Sequence, residues 1–233
     1  MKVDQHPWAG RSTAELDALF TGRQNEWWDE FYANRTRPVP FFGPQPDENL
    51  AAWVRDGTLA PGKALDLGSG NGRNAIFLAK SGFDVEGIDY SANAVEWAKQ
   101  RAREAGANVR FTQASVFDVS IPPASYDLVY DSGCFHHMPP HRRADYIALV
   151  AGALKPGGWL GMTCFRPEGG SGLSDEEVYE RETLGGGLGY TEARLRELWS
   201  GAFTIVGVRQ MQEAPQGGGV FGKSFLWTML ARK

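Results

Sequence analysis

The sequence predicts an α/β fold, a doubly wound parallel sheet with helices on both faces and a helical cap at the N-terminus. Three observations carry that expectation. Short strand-like runs recur through the middle of the 233-residue chain, helical patterns follow at least three of them, and the first strand-to-helix junction is rich in glycine. Strand, helix and strand repeated in this order close into a parallel sheet through right-handed crossovers.

In chain order, residues 12–34 read as helical, with Trp27, Trp28, Phe31 and Tyr32 spaced to form an aromatic ridge. TRPVPFFGPQP (36–46) reads as an extended link, because a residue before proline is pushed out of the α region. The strand-like runs follow: KALDLG (63–68), FDVEGID (83–89), VRFTQAS (109–115), YDLVYDS (126–132) and GWLGMTCF (158–165). Between the second and third lies SANAVEWAKQRAREAG, which Ser91 or Asn93 can cap and Gly106 can end. Its apolar stripe is Val95, Ala98, Ala102 and Ala105. PHRRADYIALVAGALKPGG places Pro140 in the first turn of a helix, Ala144, Ile147, Ala151 and Leu154 on one face, and Lys155-Pro156-Gly157-Gly158 as the stop.

Seven glycines then surround SDEEVYERE within 168–189, where Ser174 and Glu177 match a capping box. So many glycines read as a mobile insertion rather than a core element. A helix from about Thr191 to Ser200, a strand AFTIVGVRQM, a PQGGG turn and a strand SFLWTML complete the chain, the two strands forming an antiparallel hairpin.

Composition bounds the function. An apolar content of 42% with 12% aromatic residues supplies the core of one domain spanning 1–233. A net charge of −4 is wrong for gripping a polyanion, so nucleic acid is not an expected partner. Cys134 and Cys164 are too few and too far apart for a disulfide framework or a metal knuckle, which fits a reducing compartment. The first twenty residues lack the apolar core of a signal peptide, and no run approaches the roughly 20 apolar residues of a membrane span. The expectation is a soluble, cytoplasmic protein without membrane contact, as monomer or homodimer.

LDLGSGNGRN (65–74) ends the first strand and opens a helix, the setting in which a glycine loop has physical meaning. Gly68, Gly70 and Gly72 allow a tight turn and close approach to a ligand. Asp89 ends the second strand 19 residues after Gly70, near the separation at which an acid accepts hydrogen bonds from ribose hydroxyls. Together they point to an adenosine-type ligand at the switch point of the sheet. The order Gly-Ser-Gly-Asn-Gly, preceded by Asp66, serves an anionic pyrophosphate poorly, and Asp66 suits an ammonium instead.

ALDLGSGNGRN, VEGIDYS, YDLVYDSGCFHH and LKPGGWL together resemble the class I S-adenosylmethionine (SAM) dependent methyltransferase family, at four separate places across residues 63–165. Gly-Arg-Asn after the loop and LAKSGFDVEGID further resemble its tellurite-resistance and thiopurine methyltransferase branch. The resemblance implies a seven-stranded Rossmann-like sheet of order 3-2-1-4-5-7-6 with one antiparallel strand. It divides the chain into a helical and extended cap (1–60), a SAM-binding half (61–165), a glycine-rich insertion or lid (166–190), and a C-terminal helix and hairpin (191–233). It implies that Asp66, Gly68 and Gly70, with Ser69 and Arg73 beside them, line the methionine part of SAM and that Asp89 binds the ribose. Tyr90 and Val116 would flank the adenine, and Ser115 stands where the family often has an acid facing the adenine amine. Asp131 would begin the stretch facing the methyl group.

DSGCFHHMPPH (131–141) holds three of the four histidines. Adjacent histidines point in different directions and no second cluster supports them, so no metal site is expected. His136 or His137 is a candidate base or acceptor-orienting group, with Asp131 fixing a tautomer. The alternative is a turn in which Phe135 packs, one histidine bonds locally, and Pro139 and Pro140 begin the next helix. For the acceptor itself the candidates are the aromatic lid Trp27, Trp28, Phe31 and Tyr32, with Phe135, His136 and Arg166.

Methyl transfer from a sulfonium is an in-line displacement in which positioning does most of the work. A thiol needs little help from a base, and the sequence reading leans weakly to a thiol or other soft acceptor on a small molecule. Oxygen and nitrogen acceptors are the alternative. An NAD(P) oxidoreductase, which the glycine spacing disfavours, and a SAM-binding module without catalysis are more distant ones.

Overall fold

The computed structural model describes Trp8, residues 10–20, 23–215 and 217–233. The start of the expected cap, positions 21 and 22 of the expected 12–34 helix, and position 216 of the PQGGG turn lie outside the described residues.

The first helical stretch is two helices, α1 (Thr13–Asp17) and α2 (Arg23–Ala33). Ser12 and Glu15 form a capping box at the start of α1, and Phe20, buried in the main core, draws the chain inward after it. The proline-rich link is not simply extended. Pro40–Phe42 make a 3₁₀ turn that buries Phe42 beneath Tyr32 and Ala94. Next comes α3 (Glu48–Arg55), a helix the sequence reading missed because two of its three buried residues, Glu48 and Asn49, are polar and blur the apolar stripe.

The alternating middle follows as β1 (Lys63–Leu67), α4 (Arg73–Lys80), β2 (Asp84–Asp89), α5 (Ala92–Ala105), β3 (Val109–Gln113) and β4 (Tyr126–Ser132). Ser91 caps α5 by accepting from the Ala94 N–H, and Gly106 ends it in the left-handed conformation. Val95, Ala98 and Ala102 of the expected stripe are buried, while Ala105 is exposed. Then come α6 (Arg143–Ala153) and β5 (Leu154–Phe165). Pro140–Arg142 turn as 3₁₀ before α6 starts, and the buried face of α6 is Arg143, Tyr146, Ile147, Val150 and Ala153. The alanine-led stripe of the sequence reading lay beside this face, with Ala144 exposed, because Tyr146 and Val150 set the phase. Leu154 already pairs with Tyr126, and the register shifts before Leu128 meets Trp159, so Lys155–Gly158 bulge out of β5 instead of ending a helix.

Helix α7 (Asp175–Glu180) sits in the glycine-rich insertion, followed by α8 (Glu192–Trp199), β6 (Thr204–Gln210) and β7 (Leu226–Arg232). The insertion is a core element, contrary to the expectation. Val178, Leu184, Leu188 and Tyr190 are buried in the main cluster, and the Leu188 N–H donates to the His136 carbonyl at 2.8 Å. A few well-placed apolar residues outweigh the glycines around them.

The sheet has seven strands in the order β3-β2-β1-β4-β5-β7-β6, parallel except that β7 runs antiparallel to both neighbours. Alternating residues of one strand feed separate cores: Leu65 and Leu67 pack on one side, Ala64 on the other. All the loops discussed below leave the carboxyl ends of β1, β2, β3, β4 and β5, where a parallel sheet opens its crevice.

The cap is tied to this end by polar side chains. Asp29 of α2 accepts from the Ser91 hydroxyl at 2.8 Å and the Asn93 N–H at 2.9 Å, so it holds the free N–H groups at the start of α5. Asp47 accepts from Tyr130 Oη at 2.7 Å and Asn74 Nδ2 at 3.2 Å and pairs with Arg73 at 2.6 Å. Glu48 takes both arms of Arg209 from β6. No described helix is long and apolar enough to cross a membrane.

Candidate active site

A cavity of about 650 Å³ lies between α2 and the carboxyl ends of the strands. One wall is backbone and short polar side chains, the other largely aromatic.

On the polar wall the loop after β1 carries Gly68 at φ +67° and Gly70 at φ +53°. A Cβ on Gly70 would stand 2.6 Å from the Tyr32 hydroxyl, so the loop needs glycine to pass beneath the cap. The Gly70 N–H donates to Asp89 Oδ2 at 2.7 Å and the Ser91 N–H to Asp89 Oδ1 at 2.9 Å. Asp89 thus fixes the glycine loop to the end of β2 and still has lone pairs for a ligand. Burial raises its carboxyl to about 6.

Asp66 is the unusual group. It is buried, lines the cavity, and neither of its oxygens has a hydrogen-bond partner among the described residues; Ser69 Oγ shares that state. Burial pushes the Asp66 carboxyl well up, Arg73 opposes this, and Asp47, Asp131 and Asp89 reinforce it. An orphaned acid among other acids calls for a cationic donor from the ligand. The ammonium of SAM is such a donor, and the residues present fit that cofactor.

Several residues assigned from the sequence take other positions. Arg73 lines the cavity, but its guanidinium is engaged by Asp47, the Gln45 carbonyl and Ser132 Oγ, so it anchors the cap. Asp131 is fully buried and lies off the cavity wall. It accepts from the Cys134 N–H at 2.7 Å, the Phe135 N–H at 3.0 Å and the Tyr146 hydroxyl at 2.6 Å, shaping the loop after β4, and among the described residues it has no hydrogen bond to a histidine ring. Phe135, at 0% exposure, packs on Tyr146, Tyr190 and Trp199 in the core because that loop turns inward. Arg166 also lies off the wall, donating to the Ser224 carbonyl at 2.6 Å and sitting over Trp227.

Gly68, Ser69, Tyr90, Ser115 and Val116 do line the cavity. The Ser115 hydroxyl accepts from the Phe117 N–H at 3.2 Å, which turns it toward its own loop. An acid that the sequence reading passed over, Asp118, does line the cavity nearby. It lines the same wall one turn later, and after burial its charge is what raises the Tyr90 phenol. QASVFD contains that acid, shifted three places along by the turn after β3.

The aromatic wall comes from distant parts of the chain. Trp27, Trp28, Phe31 and Tyr32 of α2 all contribute, with Trp27 still 48% exposed. Phe41, Phe165 and Phe225, which the sequence reading did not single out, complete it. His136 and His137 stand at the junction. The His136 ring stacks on Phe165 at 3.7 Å and accepts at Nδ1 from the Phe165 N–H at 3.1 Å. The His137 ring meets Trp28 edge-on at 4.7 Å and makes no hydrogen bond to any described residue. Burial presses His137 down to about 4 and His136 well below the usual histidine range, so both rings are neutral at pH 7. Among the described residues no cluster of His, Cys, Asp and Glu is arranged to hold a metal.

A methyltransferase-domain family model matches residues 64–158. Among curated relatives, the ubiquinone biosynthesis O-methyltransferase of Burkholderia multivorans is 32% identical over 145 residues, covering 60% of this chain and 58% of its own length. An uncharacterized methyltransferase of Synechocystis is 31% identical over 155 residues, covering 66% of this chain and 61% of its own. The chain thus spans about three fifths of the length of the relatives it matches. Among solved structures, the 1,6-didemethyltoxoflavin N1-methyltransferase of Burkholderia thailandensis, with its substrate and S-adenosylhomocysteine bound, superposes with a TM-score of 0.65 at 24% identity, covering 96% of this chain and 91% of that one. TehB of Haemophilus influenzae gives 0.61 at 18% identity, covering 88% and 67%. At such identities these structures speak for the fold alone, and the fold and the matched domain agree. Residues 64–158 therefore match a methyltransferase domain, set in a fold shared with solved methyltransferase structures.

Proposed function

We propose that the chain transfers a methyl group from SAM to an oxygen of a small molecule with an apolar, flat body. The observation that carries this reading is the pairing of an orphaned, buried Asp66 with an aromatic wall across the same cavity. When bound, SAM supplies an electrophilic methyl on a sulfonium.

The chain's own residues do the rest. Asp66 takes the ammonium, Asp89 accepts from the ribose hydroxyls while holding the loop through Gly70, and Tyr90, Val116 and Asp118 surround the adenine. Trp28, Phe31 and Phe165 confine the acceptor and keep water away, which suits a reaction whose barrier falls mainly by alignment. The ubiquinone biosynthesis relatives are named for O-methylation, which gives the weak lean to sulfur no support, and oxygen replaces it here.

Titration calorimetry tests the cofactor half: S-adenosylhomocysteine binds and NAD does not. Incubation with methyl-labelled SAM and a panel of phenols, thiols and amines tests the acceptor. Labelled product from thiols but not phenols would reverse the choice of oxygen.

A further inference from the structure

We infer that Asp29 is a positioning residue for the proposed cofactor: it seats α2 on the start of α5, and through α2 it holds Tyr32 over the part of the cavity that takes the amino-acid half of SAM. This rests on the cofactor half of the reading above and deepens it.

The first N–H groups of a helix have no acceptor inside it and carry partial positive charge, so a carboxylate is favoured beside them. At α5 that carboxylate comes from another helix. Asp29 Oδ1 accepts from the Ser91 hydroxyl at 2.8 Å and the Asn93 N–H at 2.9 Å, while Asn93 Nδ2 donates to Asp29 Oδ2 at 2.9 Å and to the Asp29 carbonyl at 3.1 Å. The Asn93 N–H above all holds the Asp29 carboxyl below the usual carboxylate range. From Glu26 to Ala33, every hydrogen bond that joins α2 to another element among the described residues runs to Asp29. The rest of the seat is ring contact, of Phe31 and Tyr32 with Phe42 and of Tyr32 with Trp97. Rings in contact tolerate sliding, whereas directional hydrogen bonds fix where the helix sits.

The seat adjoins the polar wall. Ser91 gives its N–H to Asp89 and its hydroxyl to Asp29, so one residue joins the end of β2, α2 and α5. Tyr32, nearly one turn after Asp29, is buried and lines the cavity, and its hydroxyl stands 2.6 Å from the point a Gly70 Cβ would occupy. That hydroxyl has no hydrogen-bond partner among the described residues. Burial and then the Asp89 charge hold the phenol up, so it remains a proton donor. A buried donor above the glycine loop, with Asp66 on the same wall for the ammonium, suits the carboxylate that the same amino acid carries. Freed of Asp29, α2 would have to be seated by the ligand itself, and affinity would fall by the fraction of time the helix is in place.

The test is calorimetry on the full chain with two ligands, S-adenosylhomocysteine and 5′-methylthioadenosine, which keeps the adenosine and the sulfur but lacks the amino-acid part. Asp29→Ala weakens S-adenosylhomocysteine roughly tenfold, as for a helix seated about a tenth of the time, and leaves 5′-methylthioadenosine within about twofold. Asp29→Asn, which keeps an oxygen for the Ser91 hydroxyl and the Asn93 N–H, restores most of the loss. In a Tyr32→Ala background the further change Asp29→Ala costs no more than about twofold, because the group it positions is gone. Unchanged S-adenosylhomocysteine affinity in Asp29→Ala, equal losses of both ligands, or the full loss persisting in the Tyr32→Ala background each overturn the inference and leave the methyl-transfer reading standing. Failure of S-adenosylhomocysteine to bind the wild type overturns that reading, and the inference with it.

Discussion

The two walls of the cavity are built by different means. The cofactor wall is made from adjacent strand ends, where backbone geometry decides the shape: a glycine loop after β1, an acid at the end of β2, and one carboxylate, Asp66, that no described residue satisfies. The acceptor wall is made from side chains of α2, the link at Phe41, the end of β5 and the start of β7, which come together only when the chain is folded. The first wall carries a polar debt that a ligand discharges; the second is complete without one. Perturbing the two should therefore have opposite signatures.

The largest contrast is expected at Asp66. Asp66→Asn removes a buried charge that desolvation and neighbouring acids oppose, so the ligand-free protein should melt at a higher temperature. The same change should weaken S-adenosylhomocysteine binding roughly 10- to 100-fold, the worth of a charged hydrogen bond. Calorimetry and thermal denaturation read the two signs separately. A lower melting temperature together with unchanged affinity would mean that Asp66 is structural and the cofactor wall is misplaced.

A smaller effect is expected across the cavity. Trp28→Ala should weaken binding of 2-methoxyphenol to the S-adenosylhomocysteine complex about tenfold, through loss of aromatic contact. The cofactor affinity should stay within twofold, because the helix remains anchored through Asp29 to Ser91 and Asn93. Equal losses of both ligands would show that the walls are not independent.

The same division explains what could be read from the sequence. The parallel sheet and the Gly68, Gly70 and Asp89 constellation depend on local pattern, which ALDLGSGNGRN with VEGID carries openly, while the strand order followed from the family resemblance of those motifs. Phe135 and Arg166 were misplaced because an aromatic or an arginine in a loop does not announce which way the loop turns. Asp131 sits at the right strand end, yet its oxygens are spent on Cys134, Phe135 and Tyr146. Arg73 follows the glycine loop as a ligand-binding residue would, and is taken by Asp47, which lies 26 residues earlier and whose role no local signal reveals. Asp118, which reaches the same wall as Ser115, was passed over because it stands three residues further along. Tertiary partners, rather than weak local signals, account for these misplacements.

The smallest expected effect is on pH, and it separates the walls once more. Asp89, raised by burial to about 6, would in the proposed role accept from ribose hydroxyls best as a carboxylate, so its protonation should weaken cofactor binding. Between pH 7.5 and 5.5 the S-adenosylhomocysteine affinity should fall roughly fourfold, following the ionised fraction of such a group. Asp66, shifted the same way, adds to the fall. Affinity is a better readout than melting temperature. His136, His137 and His141 are held neutral when folded, so they contribute stability above the unfolded histidine value that is lost as pH falls below it. Asp89 and Asp131 have folded values above their unfolded ones, so they act in the opposite sense between about 6 and the unfolded aspartate value. The two sets offset one another in stability, whereas of these groups only Asp89 stands on the polar wall proposed for the cofactor. An affinity that stays flat from pH 7.5 to 5.5 would remove Asp89 from the ribose and leave it only its bonds to Gly70 and Ser91.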